Sequence, residues 1–340
     1  MDEIDLAFID TLLMKAKVLR LQHAGVIFVK KESSYDGKTG PWSYISIGPD
    51  VEIGAGTIVW PNIVLLGKTT IGKNCEIEEG VRLEDTEIGD GSKIHTGSRI
   101  SKTRIGKQCQ IWGARMYHSL LKDGVTVHCP NRIVWSEIGT GCDIDSYCLI
   151  KYASIASRCK IGPHAIIEGE KFNEKILATG KRGINIGHSC HIGAQTHIHD
   201  WAVINPEAEI AHCEIVRSFI GKRTKIKYSS YIGDATIYRD CNIGAGAIFG
   251  NYSGKKGEKH RIIVRPGVFI GINTSIVSSS TKEIGEEAYI GAHTLITRGV
   301  KPNTVVIREV GDQKAIKWSK RTPDGWETIQ MLPENKPGAK

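Results

Sequence analysis

Aliphatic residues recur every six positions along most of this 340-residue chain, and a glycine follows many of them. Ile-Gly occurs fifteen times, at Ile47, Ile53, Ile71, Ile88, Ile105, Ile138, Ile161, Ile186, Ile192, Ile220, Ile232, Ile243, Ile270, Ile284 and Ile290. Several of these lie 6 or 17 to 18 residues apart, and Val51, Ile58, Ile77 and Leu83 keep the beat between them. A helix needs apolar residues three and four apart, and a hairpin needs a longer alternation. A short strand, a tight turn and another short strand every six residues builds a parallel β-helix. Each aliphatic residue fills a narrow prism, and the glycine after it lets the next coil approach closely. Stacked at ~4.8 Å, residues 44–310 predict about a dozen coils of roughly 18 residues and a rod ~60 Å long.

The places where the beat stops divide the chain. Residues 3–24 predict a helix, with Ile4, Phe8, Leu12 and Leu19 on the period and Leu6, Ile9, Leu13, Val18 and Leu21 widening its apolar face. Gly25 ends it, and residues 1–43 form a helix with a lead-in segment. The β-helix of 44–310 is expected to carry three insertions, at 114–134, 168–184 and 250–262. The last is polar and bounded by good repeats, and loops leaving a regular scaffold are where function concentrates. Residues 311–340 lose the repeat and contain Pro323, Pro333 and Pro337, which predicts an irregular tail with a short strand near Trp326 to Met331.

Composition sharpens this. The 38 glycines, against 11 prolines and 6 phenylalanines, become corner residues rather than a sign of flexibility. Forty-five basic and 37 acidic residues leave a charge of +8 without a basic helix or an RNA-binding motif, so no nucleic-acid partner is expected. No stretch reaches the ~18 apolar residues of a membrane span. The acidic Met1-Asp2-Glu3 start does not suit a signal peptide, so a soluble cytoplasmic chain is expected. Eight of nine cysteines occur as Cys-x-Ile, and Cys129 is the exception. Two residues before an aliphatic corner, a strand side chain faces the same way, so these eight are expected in the core. Without a Cys-x-x-Cys pair, neither a zinc site nor a disulfide framework is expected.

Periodicity does not fix the hand of the coil, and crossovers are right-handed in about 98% of cases. The aliphatic-Gly pattern resembles the hexapeptide-repeat family, which implies an all-β, left-handed parallel β-helix. Residues 214–310 resemble a narrower group. Ser229-Ser230-Tyr231-Ile232-Gly233-Asp234-Ala235, Cys241-Asn242-Ile243-Gly244-Ala245-Gly246-Ala247 and Asn251-Tyr252-Ser253-Gly254 look like the C-terminal acetyltransferase domain of the bifunctional N-acetylglucosamine-1-phosphate uridyltransferase. Lys15 to Val29 and Ile290 to Arg298 resemble the start and the last coils of that domain. The resemblance implies a homotrimer with an acetyl-CoA site between neighbouring rods. It implies that Tyr231, Asn242, Asn251 and Tyr252 line the amino-sugar phosphate and acetyl site. It places Ala245 and Ala292 along the cofactor arm, and Arg308 and Lys314 near CoA phosphates. Arg217 stands one residue beyond a phosphate-binding lysine position, which is Val216 here. Two departures follow. No Gly-rich nucleotide loop precedes the repeats, so uridylyl transfer is not expected. The family's catalytic histidine aligns with Tyr228, and an ordinary tyrosine near ~10 is a poor base at neutral pH.

Histidines cluster at His188, His191, His197 and His199. Ile198 should face the core, which turns His197 and His199 outward. Such a pair is either a solvated surface pair, a replacement base or substrate contact, or part of a metal site. It bears some resemblance to the γ-class carbonic anhydrases, but Ala194 stands where their pair would begin. His260, closing the 250–262 loop, is either a ligand contact or an ordinary loop residue, and His293 suits interface packing. Asn242 and Asn251 also suit plain turns. The leading expectation is a CoA-dependent acyltransferase for an amino-sugar phosphate or nucleotide sugar, with His199 or Tyr228 at the chemistry, acetyl-CoA as co-substrate and no metal. A trimeric binding or scaffold protein and a metal-dependent enzyme are the alternatives.

Overall fold

The computed structural model describes residues 3–29, 45–170, 183–199, 201–252, 259–277, 280, 282–308, 318–322 and 325–330. Its body is a parallel β-helix of three sheets with 15, 14 and 13 strands. The first face contains Ile27–Phe28, Ile58–Val59 and Glu76–Ile77. The second contains Ile45–Ile47, Ile63–Leu66 and Arg82–Glu84, and the third Glu52–Ile53, Thr70–Ile71 and Glu87–Ile88. Each strand pairs in register with the one a coil later, as Ile71 on Ile88 on Ile105. Fourteen steps of ~4.8 Å separate the ends of the 15-stranded sheet, a rod ~67 Å long. It is somewhat longer than the six-residue beat predicts.

Strands of two to four residues send one or two side chains inward, so the core is a column of aliphatic residues. Tight stacking follows from the missing Cβ atoms. A Cβ on Gly221 would lie 2.3 Å from the Tyr238 carbonyl carbon and 2.4 Å from the Arg239 nitrogen, both backbone atoms of the next coil. Eight cysteines are buried and Cys129 is exposed, as the Cys-x-Ile pattern predicts. Several of their thiols donate to the next coil's carbonyls, Cys109 Sγ to Lys122 O at 3.2 Å and Cys148 Sγ to Gly162 O at 3.2 Å among them. Burial pushes Cys148 up to about 11, and Cys213 and Cys241 up to about 12.

Three expectations need correction. Residues 114–134 are not an insertion: Arg115–Tyr117, Leu120–Leu121, Thr126–Val127 and Arg132–Val134 continue the three sheets in register. Ala114, Met116, Leu121, Val125, Val127 and Ile133 fill the inward positions, and corner residues such as His118 (φ 48°) and Trp135 (φ 51°) make turns that glycine makes elsewhere. The helix, Glu3–His23, buries Val18 and Leu21 against the first coil and leaves Leu12, Leu13 and Leu19 exposed. Over residues 12–23, whose side chains are described, the buried face is therefore narrower than the pattern suggests. The tail carries two strands, Trp318–Thr322 and Gly325–Gln330, paired as an antiparallel hairpin.

Gly25 ends the helix at φ +89°, with the Val26 N–H bonded to Leu21 O at 3.0 Å. Most of the 168–184 interruption lies outside the described residues. The 250–262 loop does leave the coil: Ile248–Gly250 and Ile262–Val264 flank it, and Tyr252 and Lys259 form an antiparallel bridge across its base. No described helix is long and apolar enough to cross a membrane.

Candidate functional site

Successive coils bring one corner residue above another every 17 residues, and this places Arg217, Asp234 and Asn251 together. The Arg217 guanidinium forks onto Asp234, with Nε to Oδ1 at 2.8 Å and Nη2 to Oδ2 at 2.9 Å. The Asn251 amide also donates to Oδ2 of this carboxylate. Burial alone would raise the Asp234 carboxyl. The hydrogen bonds from Arg217 and Asn251, with the charges of Arg217 and Lys259, outweigh it and hold the group below its ordinary range. Arg261, at the foot of the 250–262 loop, ties this corner down. It donates to Ala235 O at 3.1 Å, to Thr236 Oγ1 at 3.0 Å and to Arg217 O at 3.2 Å.

Tyr231 joins the same network. It lies on the second face, two residues before Gly233, and a Cβ on Gly233 would meet its hydroxyl at 2.8 Å and Asn251 Nδ2 at 2.7 Å. Glycine there lets the ring lie back along the strand so that the hydroxyl reaches the Asn251 amide. Burial, and then the Glu214 charge, raise the Tyr231 hydroxyl above its ordinary value.

Tyr231 also lines a groove of about 340 Å³ with Gln195, His197, His212, Cys213, Glu214, Ser229 and Ser230. The register stacks His197 on Glu214 on Tyr231. His197 and His199 both face outward, their rings 4.4 Å apart, and His199 Nε2 lies 2.9 Å from Glu214 Oε1. The His199 side chain is 23% exposed and Glu214 45%. One ligand atom from each of His197, His199 and Glu214 falls within 4.8 Å of the others, which also suits a divalent cation.

The structure thus brings together His199, Arg217, Tyr231 and Asn251 among the residues predicted from sequence. Arg217 does so as the partner of Asp234, so its charge is committed within the chain. The others are placed elsewhere. Asn242 lies exposed on the first face between Lys225 and Phe269, around a corner from Tyr231. Tyr228 is 58% exposed at that corner, with φ 50°, one residue outside the groove. Ala245 and Ala292 sit at turns of the last coils, and Tyr252 is exposed beside the loop base. His260 donates its N–H to Asn251 O at 2.9 Å, and its Nε2 is buried without a hydrogen-bond partner among the described residues. Arg308 is exposed at the far end, His293 is exposed at a turn, and Lys314 lies outside the described residues. Sequence reasoning missed Glu214 and Asp234. The spacing of 17 between Arg217, Asp234 and Asn251 was the signal for the second.

A family model agrees with the repeat. Residues 50–85 match the family described as bacterial transferase hexapeptide (six repeats). The chain is similar to bifunctional protein GlmU of Thermodesulfovibrio yellowstonii, 29% identical over 81% of this chain and 42% of that protein. It is also similar to bifunctional protein GlmU of Baumannia cicadellinicola, 35% identical over 52% of this chain and 34% of that protein. The chain spans less than half the length of these relatives. Among solved structures, a Francisella novicida UDP-N-acetylglucosamine acyltransferase superposes with a TM-score of 0.29 at 17% identity, over 64% of each chain. A perosamine N-acetyltransferase from Caulobacter crescentus, in complex with CoA and GDP-perosamine, gives 0.25 at 16% identity, over 44% of this chain and 66% of that one. The chain is a parallel β-helix, part of which matches the hexapeptide-repeat model, and it is similar to a stretch of less than half of GlmU.

Proposed function

We propose that the chain is a CoA-dependent acyltransferase acting on an amino-sugar phosphate or nucleotide sugar. The observation that carries this reading is the groove on the second face, lined by His197, Glu214 and Tyr231, with His199 bonded to Glu214 at its edge and the tyrosine fixed by a buried Arg–Asp–Asn network. Its resemblance to the C-terminal part of GlmU supports the substrate class. The acceptor amine attacks the thioester carbonyl of acetyl-CoA. A C–N bond forms, the C–S bond breaks, and the CoA thiolate leaves with the electron pair. A base must take the ammonium proton, and histidine has the ordinary pKa for it. His199 takes this role, with Glu214 fixing its ring and stabilising the imidazolium that forms. Tyr231 and Asn251 hold the acceptor, and the proton returns to the leaving thiolate. Tyr228, exposed outside the groove, is left as a rim contact.

The assay is thiol release from acetyl-CoA with glucosamine 1-phosphate as acceptor, beside thermal-shift titration with acetyl-CoA. His199→Ala should lower kcat by about 10²- to 10⁴-fold, the range of a general base. Full turnover in that variant, or no acetyl-CoA stabilisation at millimolar ligand, rejects the assignment. The cluster of His197, His199 and Glu214 favours one second reading, a metal-dependent enzyme with His₂Glu ligands and an open position. Stoichiometric zinc or cobalt in the purified protein, lost in the His197→Ala/His199→Ala variant, would establish it.

A further inference from the structure

The second face carries a row of cations that the proposed reaction does not use. Arg82, Arg99, Arg115 and Arg132 pair in register on four successive coils. All four are exposed. Among the described residues the row has one ion pair, a 3.5 Å contact from Arg82 to Glu84. Like charges directly opposite on neighbouring strands repel, and these stand ~4.8 Å apart. Elsewhere on the rod the ladders alternate in sign, as in Glu76 beside Lys93 and Glu209 beside Lys225. A run of four guanidinium groups with a single long carboxylate contact, from Arg82 to Glu84, is therefore a departure from this chain's own habit.

The row also has a direction. The same column passes over Leu149 and Ile166 and reaches His197, Glu214 and Tyr231 in the groove. From Arg82 to Tyr231 is eight coil steps, ~38 Å along one face. A ligand whose negative groups lie on the arginines can therefore place another part of itself in the groove. A monomeric sugar phosphate is too short to touch both.

We infer that the second face also binds a linear acidic polysaccharide, its carboxylates on the arginine row, so that one amino-sugar unit of it can enter the groove as an acceptor beside the monomeric one. This rests on the acyltransferase reading for the groove but not for the row. Guanidinium forks match carboxylates bidentately, and a regular row matches a polymer with regularly spaced anions. Single-stranded nucleic acid is the rival occupant, because bases need aromatic faces to stack on. Trp112 is sandwiched between His95 and His128, but Trp135 and Tyr147, each stacked on one histidine, remain exposed beside the row, so DNA is made an arm of the test.

Direct binding tests this without turnover. The full chain is titrated with an oligogalacturonate long enough to span row and groove, with its monomer, and with single-stranded DNA of equal charge. The Arg99→Glu/Arg115→Glu variant is titrated in parallel. The oligomer should bind at least tenfold more tightly than the monomer and weaken with added salt. The variant should lose at least tenfold of that affinity while its acetyl-CoA thermal shift and its turnover of glucosamine 1-phosphate stay unchanged. Unaltered oligomer binding in the variant overturns the inference. So does DNA binding more tightly than the uronate, or a change of oligomeric state in the variant, which would assign the row to a subunit interface. Loss of the acetyl-CoA shift in the parent chain rejects the groove's chemistry and leaves the row's binding to be read separately.

Discussion

Replacing Asp234 by asparagine removes one charge from the most closely tied corner of the rod and keeps its shape. The Asp234 side chain is 12% exposed and Arg217 29%, so the variant leaves a mostly buried guanidinium without its counterion. The gross attraction at 2.8 Å is about 6 kcal/mol at an effective dielectric constant of 20. Removing one partner of a buried pair costs about 3–5 kcal/mol. Partial exposure of Arg217 lets water recover some of that, so about 3 kcal/mol is expected. In a solenoid each coil contacts only its neighbours, so the loss should be local. The Asp234 N–H bonds to Val216 O at 3.0 Å and the Ile262 N–H to Asp234 O at 3.2 Å, which makes these amides reporters of the corner. Hydrogen exchange at both should accelerate about 100-fold, since about 1.4 kcal/mol is tenfold, while amides near Ile77 stay unchanged. The folded-state pKa of Asp234 is depressed, so the pair's contribution is complete above the unfolded value of about 3.9 and is lost as pH falls through the folded value. Parent and variant should therefore converge in acid. Equal exchange rates at neutral pH, or a difference spread evenly along the rod, would refute the reasoning.

Other perturbations address separate parts of the molecule. Gly221→Ala drives a Cβ into the backbone of the next coil, and it should destabilise by about 1–3 kcal/mol by chemical denaturation. A null effect would mean that the coils separate freely there. Maleimide labelling of the native chain should modify Cys129 and spare the other eight cysteines until the protein is unfolded, as mass spectrometry of peptides can read. Rapid native labelling of Cys213 or Cys241 would contradict their burial. Arg99→Ala relieves repulsion from Arg82 and Arg115, so it should raise the thermal midpoint at low ionic strength and leave it unchanged in molar salt. A lower midpoint at both would mean that Arg99 packs rather than repels.

The coil itself was legible because its constraint is steric. One inward residue per short strand and one tight corner per six residues leave a beat that no helix or hairpin shares. Reading glycine as the mark of that beat misled at residues 114–134. Glycine is one way to make the corner, and His118 and Trp135 make it in the left-handed region with side chains intact. The site was legible only in part, for a related reason. Side chains in a β-helix are brought together by register, about 17 residues per coil, rather than by nearness in sequence. Asn251 finds Asp234 and Arg217 at that spacing, whereas Asn242, nearer to Tyr231 in sequence than Asn251 is, turns onto another face. The same rule exposes the arginine row, whose members stand 16 or 17 residues apart and carry no motif. In such a fold, chemistry follows columns. A search that aligns each residue with those one coil before and after finds the Arg217–Asp234–Asn251 corner, the His197–Glu214–Tyr231 groove and the four arginines by one operation. That the last two lie on a single column is what links the basic row to the groove.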